Sequence, residues 1–354
     1  MRSHNFSAGP AALPAPVRLR LGRMFELGPD GSPSLLELSH RGPRFTEVAE
    51  RLRAGLRRLL GLDSSYEILL MSGGAQLQFA LLPMNLAAQA PAAYVESGHW
   101  SKLAIHQARG VCHVDVIASS AATAFTELPK VPKPNPASAY LHYCGNETIH
   151  GLQFSAPPAC DVPVIADLSS EICSRPYPFS QLAGFYASAQ KNLGIPGLTL
   201  LVLKRELLER VPPSLPPILS YRAWSESGSM PNTPSTAAWI ACLEVLQWIE
   251  EEGGLSAMVA RNAAKAERLY ACLDRHDVFV TPVARADRSQ MNVVFRLTAR
   301  ERESALLTAA AAAGFVGLEG HRAVGGLRAS LYNAVTLESV DALVDFLERW
   351  AATA

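Results

Sequence analysis

Between residues 45 and 59 the apolar positions Phe45, Val48, Ala49, Leu52, Leu56 and Leu59 fall three or four apart. That spacing puts them on one helical face, and Gly61 stands where such a helix would stop. The pattern then changes. Residues 66–71 form a nearly continuous apolar run, the mark of a strand buried on both sides. Ser72-Gly73-Gly74 follows, with a helical run from Ala75, and a strand-like 92–96 precedes another helix from about His99. Further strands are expected at 111–117, 140–143, 164–167, 185–189 and 198–203. This alternation predicts an α/β fold, a mostly parallel sheet with helices on both faces, because parallel neighbours need long crossovers.

Near Thr233 the character shifts. Thr233-Pro234 reads as an N-cap and N1 proline opening a long helix that runs to about Gly253-Gly254. A helix, a strand at 291–297, an Ala-rich helix around 301–313, a strand at 327–332 and a last helix from about Leu337 predict a smaller α+β domain. The proline-rich 129–136 is read as a rigid surface connector.

Composition narrows the classes. In 354 residues, Lys+Arg and Asp+Glu are both 32, so the net charge is zero. A nucleic-acid binder carries a basic excess, so none is expected as partner, and a charged ligand must be held by local clusters. Six scattered cysteines without a C-x-x-C pair read as reduced core residues, and no compact His/Cys cluster supports a metal site. The apolar stretches are too short or too interrupted for a membrane span, and the proline-broken opening MRSHNFSAGPAALPAPV has no signal-peptide core. The expectation is a soluble cytoplasmic protein.

Candidate chemistry begins with a pair. Val164-Ile165-Ala166-Asp167 reads as a buried strand ending in a carboxylate, and Ala187-Ser188-Ala189-Gln190-Lys191 as another ending in a lysine, one of six in the chain. Both charges fall at the carboxyl ends of strands, where open α/β sheets bind ligands. Singly, Asp167 could be a strand-end cap and Lys191 a solvated lysine. Together they suit pyridoxal phosphate: the lysine meets the aldehyde, and the carboxylate keeps the pyridine nitrogen protonated. Ser72-Gly73-Gly74-Ala75-Gln76 lies between a strand and a helix, where backbone N–H groups can cradle a phosphate, although Gly-Gly also makes ordinary turns. Trp100 could stack on the ring or be a core residue, and Thr148 could bond the ring oxygen or sit in a turn. No G-x-G-x-x-G and no glycine-lysine phosphate loop occurs.

Several motifs in order now carry a resemblance: Asn5-Phe6-Ser7-Ala8-Gly9-Pro10, Ser39-His40-Arg41-Gly42, Asn146-Glu147-Thr148-Ile149-His150-Gly151, Ala166-Asp167-Leu168-Ser169-Ser170, Ala189-Gln190-Lys191-Asn192, the run from Gly228 to Pro234, and Gly320-His321-Arg322 through Arg328-Ala329-Ser330. Over nearly its whole length the chain resembles the phosphoserine aminotransferases, fold-type I, class V pyridoxal-phosphate enzymes. The resemblance implies a large domain over 14–259 and a small one made of 1–13 with 260–354. It implies transamination between L-glutamate and 3-phosphohydroxypyruvate in serine synthesis, with a phosphorylated hydroxy-oxo acid of vitamin B6 synthesis as a further substrate. Lys191 would be the Schiff-base lysine, Asp167 the pyridinium partner, Trp100 the stacking ring and Thr148 the partner of the ring oxygen. Ala75, Gln76 and Gln190 would contact the phosphate region. Asn232 and Thr233 would reach that phosphate from the neighbouring subunit of a homodimer. Arg328 would hold the substrate α-carboxylate, with His40, Arg41, His321 and Arg322 receiving its distal anion. One departure stands out: many relatives carry arginine where this chain has Gln76. Another class V aminotransferase acting on a different oxo acid is the alternative. A cysteine desulfurase is disfavoured, since no cysteine follows Cys272, and a cofactor-holding protein without turnover would have lost the substrate arginines.

Overall fold

The computed structural model of the protein describes residues 3–26 and 31–353; the expected small domain's residues 1, 2 and 354 lie outside them. Helices α1 (Ala15–Met24) and α2 (Pro43–Leu60) precede a seven-stranded sheet. Its strands in chain order are β1 (Tyr66–Ser72), β2 (Ala92–Glu96), β3 (Val114–Ser119), β4 (Leu141–Cys144), β5 (Val164–Asp167), β6 (Gly184–Ser188) and β7 (Leu198–Lys204). They lie side by side as β1-β7-β6-β5-β4-β2-β3.

Neighbours pair in parallel from β3 to β6, whereas β7 runs antiparallel to both β6 and β1. Residues 189–197, which join β6 to β7, are too few for a parallel crossover, so the chain must reverse there. Period-two alternation splits the sheet's side chains between two cores. Ile68 and Leu70 enter one core with α1, α2 and α6 (Thr236–Glu251). Leu69 and Met71 enter the other with α3 (Ala75–Leu86), α4 (His99–Ala108) and α5 (Tyr221–Glu226).

Helix α2 forms as its pattern predicts. Phe45, Ala49, Leu52, Leu56 and Leu60 are buried, and Gly61 ends the helix at φ 63°, its N–H returning to Arg57 and Arg58 carbonyls. A Cβ on Gly55 would stand 3.4 Å from Leu246 Cδ1, so α2 lies on α6 with room at that point for little more than a methyl group. The long helix after the sheet starts later than its proline suggests. Ser235, not Thr233, is the N-cap, and Thr233-Pro234 belongs to the preceding loop.

A third core joins Phe6 to residues from Ala266 to Leu347. It packs α7 (Gly254–Arg275), α8 (Glu303–Ala312) and α9 (Leu337–Ala351) against β8 (Phe279–Val280), β9 (Asn292–Leu297) and β10 (Leu327–Ser330), which lie in the order β8-β9-β10. The N-terminal His4–Asn5 pairs in parallel with Phe315–Val316, which explains how Phe6 reaches this core. Two-residue strands leave no periodic trace, and sequence reading missed them.

A wholly buried lysine ties this unit together. Lys265 Nζ donates to the carbonyls of Leu331 at 2.6 Å, Tyr332 at 2.8 Å and Val335 at 3.0 Å, immediately after β10. All three ammonium donors are spent on backbone. Lys265→Met keeps the packing stem but leaves the Leu331 and Val335 carbonyls without this donor, Tyr332 keeping the Val335 N–H, and is expected to cost ~3 kcal/mol, read as a lower midpoint in chemical denaturation.

Candidate active site

The carboxyl ends of β4, β5 and β6 open on a cavity of about 500 Å³. Asp167, the last residue of β5, lines it at 6% exposure. Its Oδ1 accepts the Ser169 N–H at 2.9 Å. Burial pushes its carboxyl up from the usual range, while the Ser169 side chain and Lys191 pull it back toward the ionised form. Three residues beyond β6, Lys191 enters the same cavity. Its Nζ donates to Thr148 Oγ1 at 3.1 Å and stands 5.6 Å from the centre of the Trp100 ring. The indole Nε1 of Trp100 is buried without a partner.

The floor is a glycine turn. Gly73 has φ 96°, inside the region that favours glycine, and Gly74 is the N-cap of α3 but has no side chain to cap it. Ser188 Oγ accepts the Ala75 N–H at 2.7 Å, and Ser169 Oγ accepts the Ser188 N–H at 3.1 Å. Hydroxyls on β6 and after β5 thus hold the start of α3 in place. With no acidic residue in its first turn, this N-terminus faces the cavity with its positive end.

The three-stranded unit of β8, β9 and β10 supplies the far wall. Arg328 from β10 and His321 from the loop before it both line the cavity. Arg328 Nε is buried and unpartnered, and burial lowers the guanidinium pKa, so this cation is held ready for an anion. His321 packs at a tilt against His99, ring centres 5.0 Å apart, and His99 meets Trp100 edge-on at 5.3 Å. Burial chiefly lowers the pKa of His99 and His321 and takes His150 behind them down to about 4, which favours neutral rings.

Of the residues expected from sequence, Ala75, Gln76, Trp100, Thr148, Asp167, Gln190, Lys191, His321 and Arg328 meet at this one cavity. His40, Arg41, Arg322, Asn232 and Thr233 lie outside its lining. Arg41, Arg322, Asn232 and Thr233 are exposed, and His40 keeps a buried, unpartnered Nε2. The loop carrying Asn232 and Thr233 is pinned from behind, by Arg53 on the Gly228 carbonyl and by Ser229 Oγ on the Leu70 N–H at 3.0 Å.

Several site residues had no role assigned from sequence. Ser188, Ser169, Ser170 and Asn146 line the cavity, as do Ala8 and Gly9 from the N-terminal segment, whose Ala8 carbonyl accepts the Tyr332 hydroxyl at 2.9 Å. Polar residues inside buried runs were the available signal. Asn146 belongs to a buried chain through Ser170, Ser289 and Asn292 to Ser330 and Tyr332, binding the two domains under the cavity. Cys144 also lines the cavity, but burial raises its thiol pKa well above the usual value, which keeps it from acting as a nucleophile.

Comparison with known proteins agrees with this geometry. The family model described as Aminotransferase class-V matches residues 3–343. The phosphoserine aminotransferase of Pseudomonas entomophila (strain L48) is 44% identical over 351 residues, 98% of this chain and 97% of that one. The chain belongs to the phosphoserine aminotransferases. A Geobacillus kaustophilus member of the family is 43% identical, covering 99% of this chain and 98% of its own. Among solved structures, the phosphoserine aminotransferase from Bacillus circulans subsp. alkalophilus superposes with a TM-score of 0.97 at 41% identity, covering 99% of each chain. A PLP-bound phosphoserine aminotransferase from Trichomonas vaginalis does so at 0.94 with 34% identity, covering 98% of this chain and all of that one. The fold-type I architecture expected from the motifs is therefore the one observed. Among the described residues no helix is long and apolar enough to cross a membrane, and no metal-ligand cluster occurs.

Proposed function

We propose that the protein transfers an amino group between L-glutamate and 3-phosphohydroxypyruvate, giving O-phospho-L-serine and 2-oxoglutarate, with pyridoxal phosphate as cofactor. The observation that carries this reading is the convergence of Asp167, Lys191 and Arg328 on one cavity. The donor set fits the cofactor: an uncapped helix N-terminus for the phosphate, a carboxylate for the ring nitrogen, an indole face, and a lysine amine for the aldehyde. When bound, pyridoxal phosphate supplies an electron sink for the bond-breaking at the substrate Cα.

The chain's own groups do the rest. Asp167 holds a proton on the ring nitrogen. Trp100 and Phe79 wall the cavity with apolar surface, and Thr148 holds Lys191 Nζ by hydrogen bond until substrate arrives. Lys191 then takes the substrate's Cα proton as general base and delivers it on the cofactor side. Arg328 grips the α-carboxylate as a guanidinium fork, and His321 lies where the distal anion would sit. Gln76 lines the phosphate end as a neutral side chain, so distal charge falls to arginine, with His321 offering a neutral hydrogen-bonding ring.

The remaining assignments need a second copy. His40, Arg41, Arg322, Asn232 and Thr233 are proposed to complete the site of a neighbouring subunit in a homodimer. Their place outside this chain's cavity supports that reading. The division into 14–259 and 1–13 with 260–354 is proposed on the separate core that Phe6 shares with residues after 266.

The test combines light scattering with a coupled assay supplying glutamate and 3-phosphohydroxypyruvate. The expected result is a dimer that absorbs visible light from bound cofactor and releases 2-oxoglutarate. A protein that takes up no cofactor, or turns over other oxo acids but not phosphohydroxypyruvate, overturns the reading. Adding the vitamin B6 pathway substrate to the same assay decides whether it shares the site.

A further inference from the structure

Two helix N-termini open toward the cavity, and the chain treats them in opposite ways. Helix α3 begins at Gly74 with no acid in its first turn, and of its first amides only the Ala75 N–H has a side-chain partner, Ser188 Oγ at 2.7 Å. At α4 every amide of the first turn has a side-chain partner. Gly98 N–H donates to Ser101 Oγ at 2.9 Å, His99 N–H to His150 Nδ1 at 3.3 Å, Trp100 N–H to Glu147 Oε2 at 3.0 Å, and Ser101 N–H to Glu147 Oε1 at 2.8 Å. Those are the donors a helix ordinarily leaves unpaired.

Glu147 is the centre of this arrangement. It is wholly buried, and burial raises its carboxyl pKa while the Ser101 and Trp100 amides favour the ionised form. Space for it is reserved by Gly98, where a Cβ would come within 2.6 Å of Glu147 Cδ. A buried carboxylate is costly unless paired, and both its oxygens are spent on the helix that carries Trp100. The next residue, Thr148, accepts from Lys191 Nζ. Two consecutive side chains therefore hold the indole-bearing helix and the reactive lysine in one frame.

We propose that Glu147 is a positioning residue for the cofactor. By filling the α4 N-terminus it fixes where the Trp100 ring stands, and it leaves the open α3 N-terminus as the end that attracts the cofactor's phosphate. The inference rests on the reading of Trp100 as the ring that stacks on pyridoxal phosphate. Chemistry dictates the residue type: a carboxylate offers two acceptor oxygens, whereas glutamine would turn an NH₂ donor against an N–H donor.

The test uses apoenzyme titrated with pyridoxal phosphate, followed by quenching of tryptophan fluorescence, beside thermal unfolding of the same apoenzyme. Glu147→Gln is expected to weaken cofactor binding roughly tenfold, the scale of one lost hydrogen bond to a charged group. In a Trp100→Phe background, read by cofactor absorbance, the same change is expected to cost little more, because both act through the same ring. Should Glu147→Gln not fold, Glu147→Asp, which keeps the carboxylate but is too short to reach both amides, is expected to weaken cofactor binding by a few-fold, and unchanged affinity there counts against the role. Unchanged affinity in the variants, or an equal tenfold loss in the Trp100→Phe background, overturns the positioning role. Failure of the wild-type apoenzyme to bind the cofactor would instead overturn the site reading beneath it.

Discussion

Lys191→Ala is expected to remove transaminase activity almost completely, by at least about a thousandfold, in the coupled assay. In the proposed reaction the lysine has two tasks that no neighbour can take over. Its amine meets the cofactor's aldehyde, and it moves the substrate's Cα proton. Within its reach the structure provides Thr148 Oγ1 at 3.1 Å and the face of Trp100, neither of them a base at neutral pH. Asp167 accepts the Ser169 N–H and in the proposed reaction would serve the ring nitrogen. Because Lys191 is half-buried and makes a single side-chain hydrogen bond, its loss should leave the apoenzyme's melting temperature within a few degrees of wild type. A folded Lys191→Ala protein retaining more than a few per cent of activity would remove the general base from the mechanism.

Asp167→Asn is expected to lower kcat by on the order of a hundredfold to a thousandfold, the scale seen when one preorganised electrostatic partner is deleted. The amide keeps the shape but cannot hold a proton on the ring nitrogen, so the loss should appear in kcat more than in KM. Stability should move the other way. Burial raises the folded carboxyl's pKa, so above the unfolded pKa the ionised group opposes folding of the apoenzyme. Asp167→Asn apoenzyme should therefore unfold at an equal or higher temperature than wild type at neutral pH. The difference should close below about pH 4, where the wild-type side chain is neutral in both states. A large loss of apoenzyme stability at pH 7 would contradict the account of Asp167 as a functional cost carried by the fold.

Periodicity located most of the sheet and its helices because the inner strands are buried on both faces and a helix such as α2 on one, whereas the edge strand β3 is only half-buried. The strands at 92–96 and 164–167 stand where they were read, and Gly61 ends α2 as expected. What failed was local. Thr233-Pro234 carries a cap signature, yet the helix starts at Thr236, because a cap motif reports a chain preference and not where packing on the sheet begins. The antiparallel β7 follows from a connection too short to cross over, a constraint of length and not of period.

The chemistry divides along a similar line. Asp167 and Lys191 were legible because strand ends of an α/β sheet are where ligands bind, and the family motifs placed Trp100, Thr148 and Arg328 beside them. By itself the sequence determined residue types, strand ends and family. It could not determine which helix N-terminus is free, since α3 and α4 both follow a strand and a glycine. Only the folded chain brings Glu147 onto the Trp100 and Ser101 amides, and gives α3 a single side-chain partner, Ser188 on the Ala75 amide, with no acid beside it. It likewise takes Lys265 to three carbonyls beyond β10 and Ala8 to the cavity wall. Such partners are far apart in sequence, and what selects them is the cost of burying a polar group unpaired, which exists only once the core has closed.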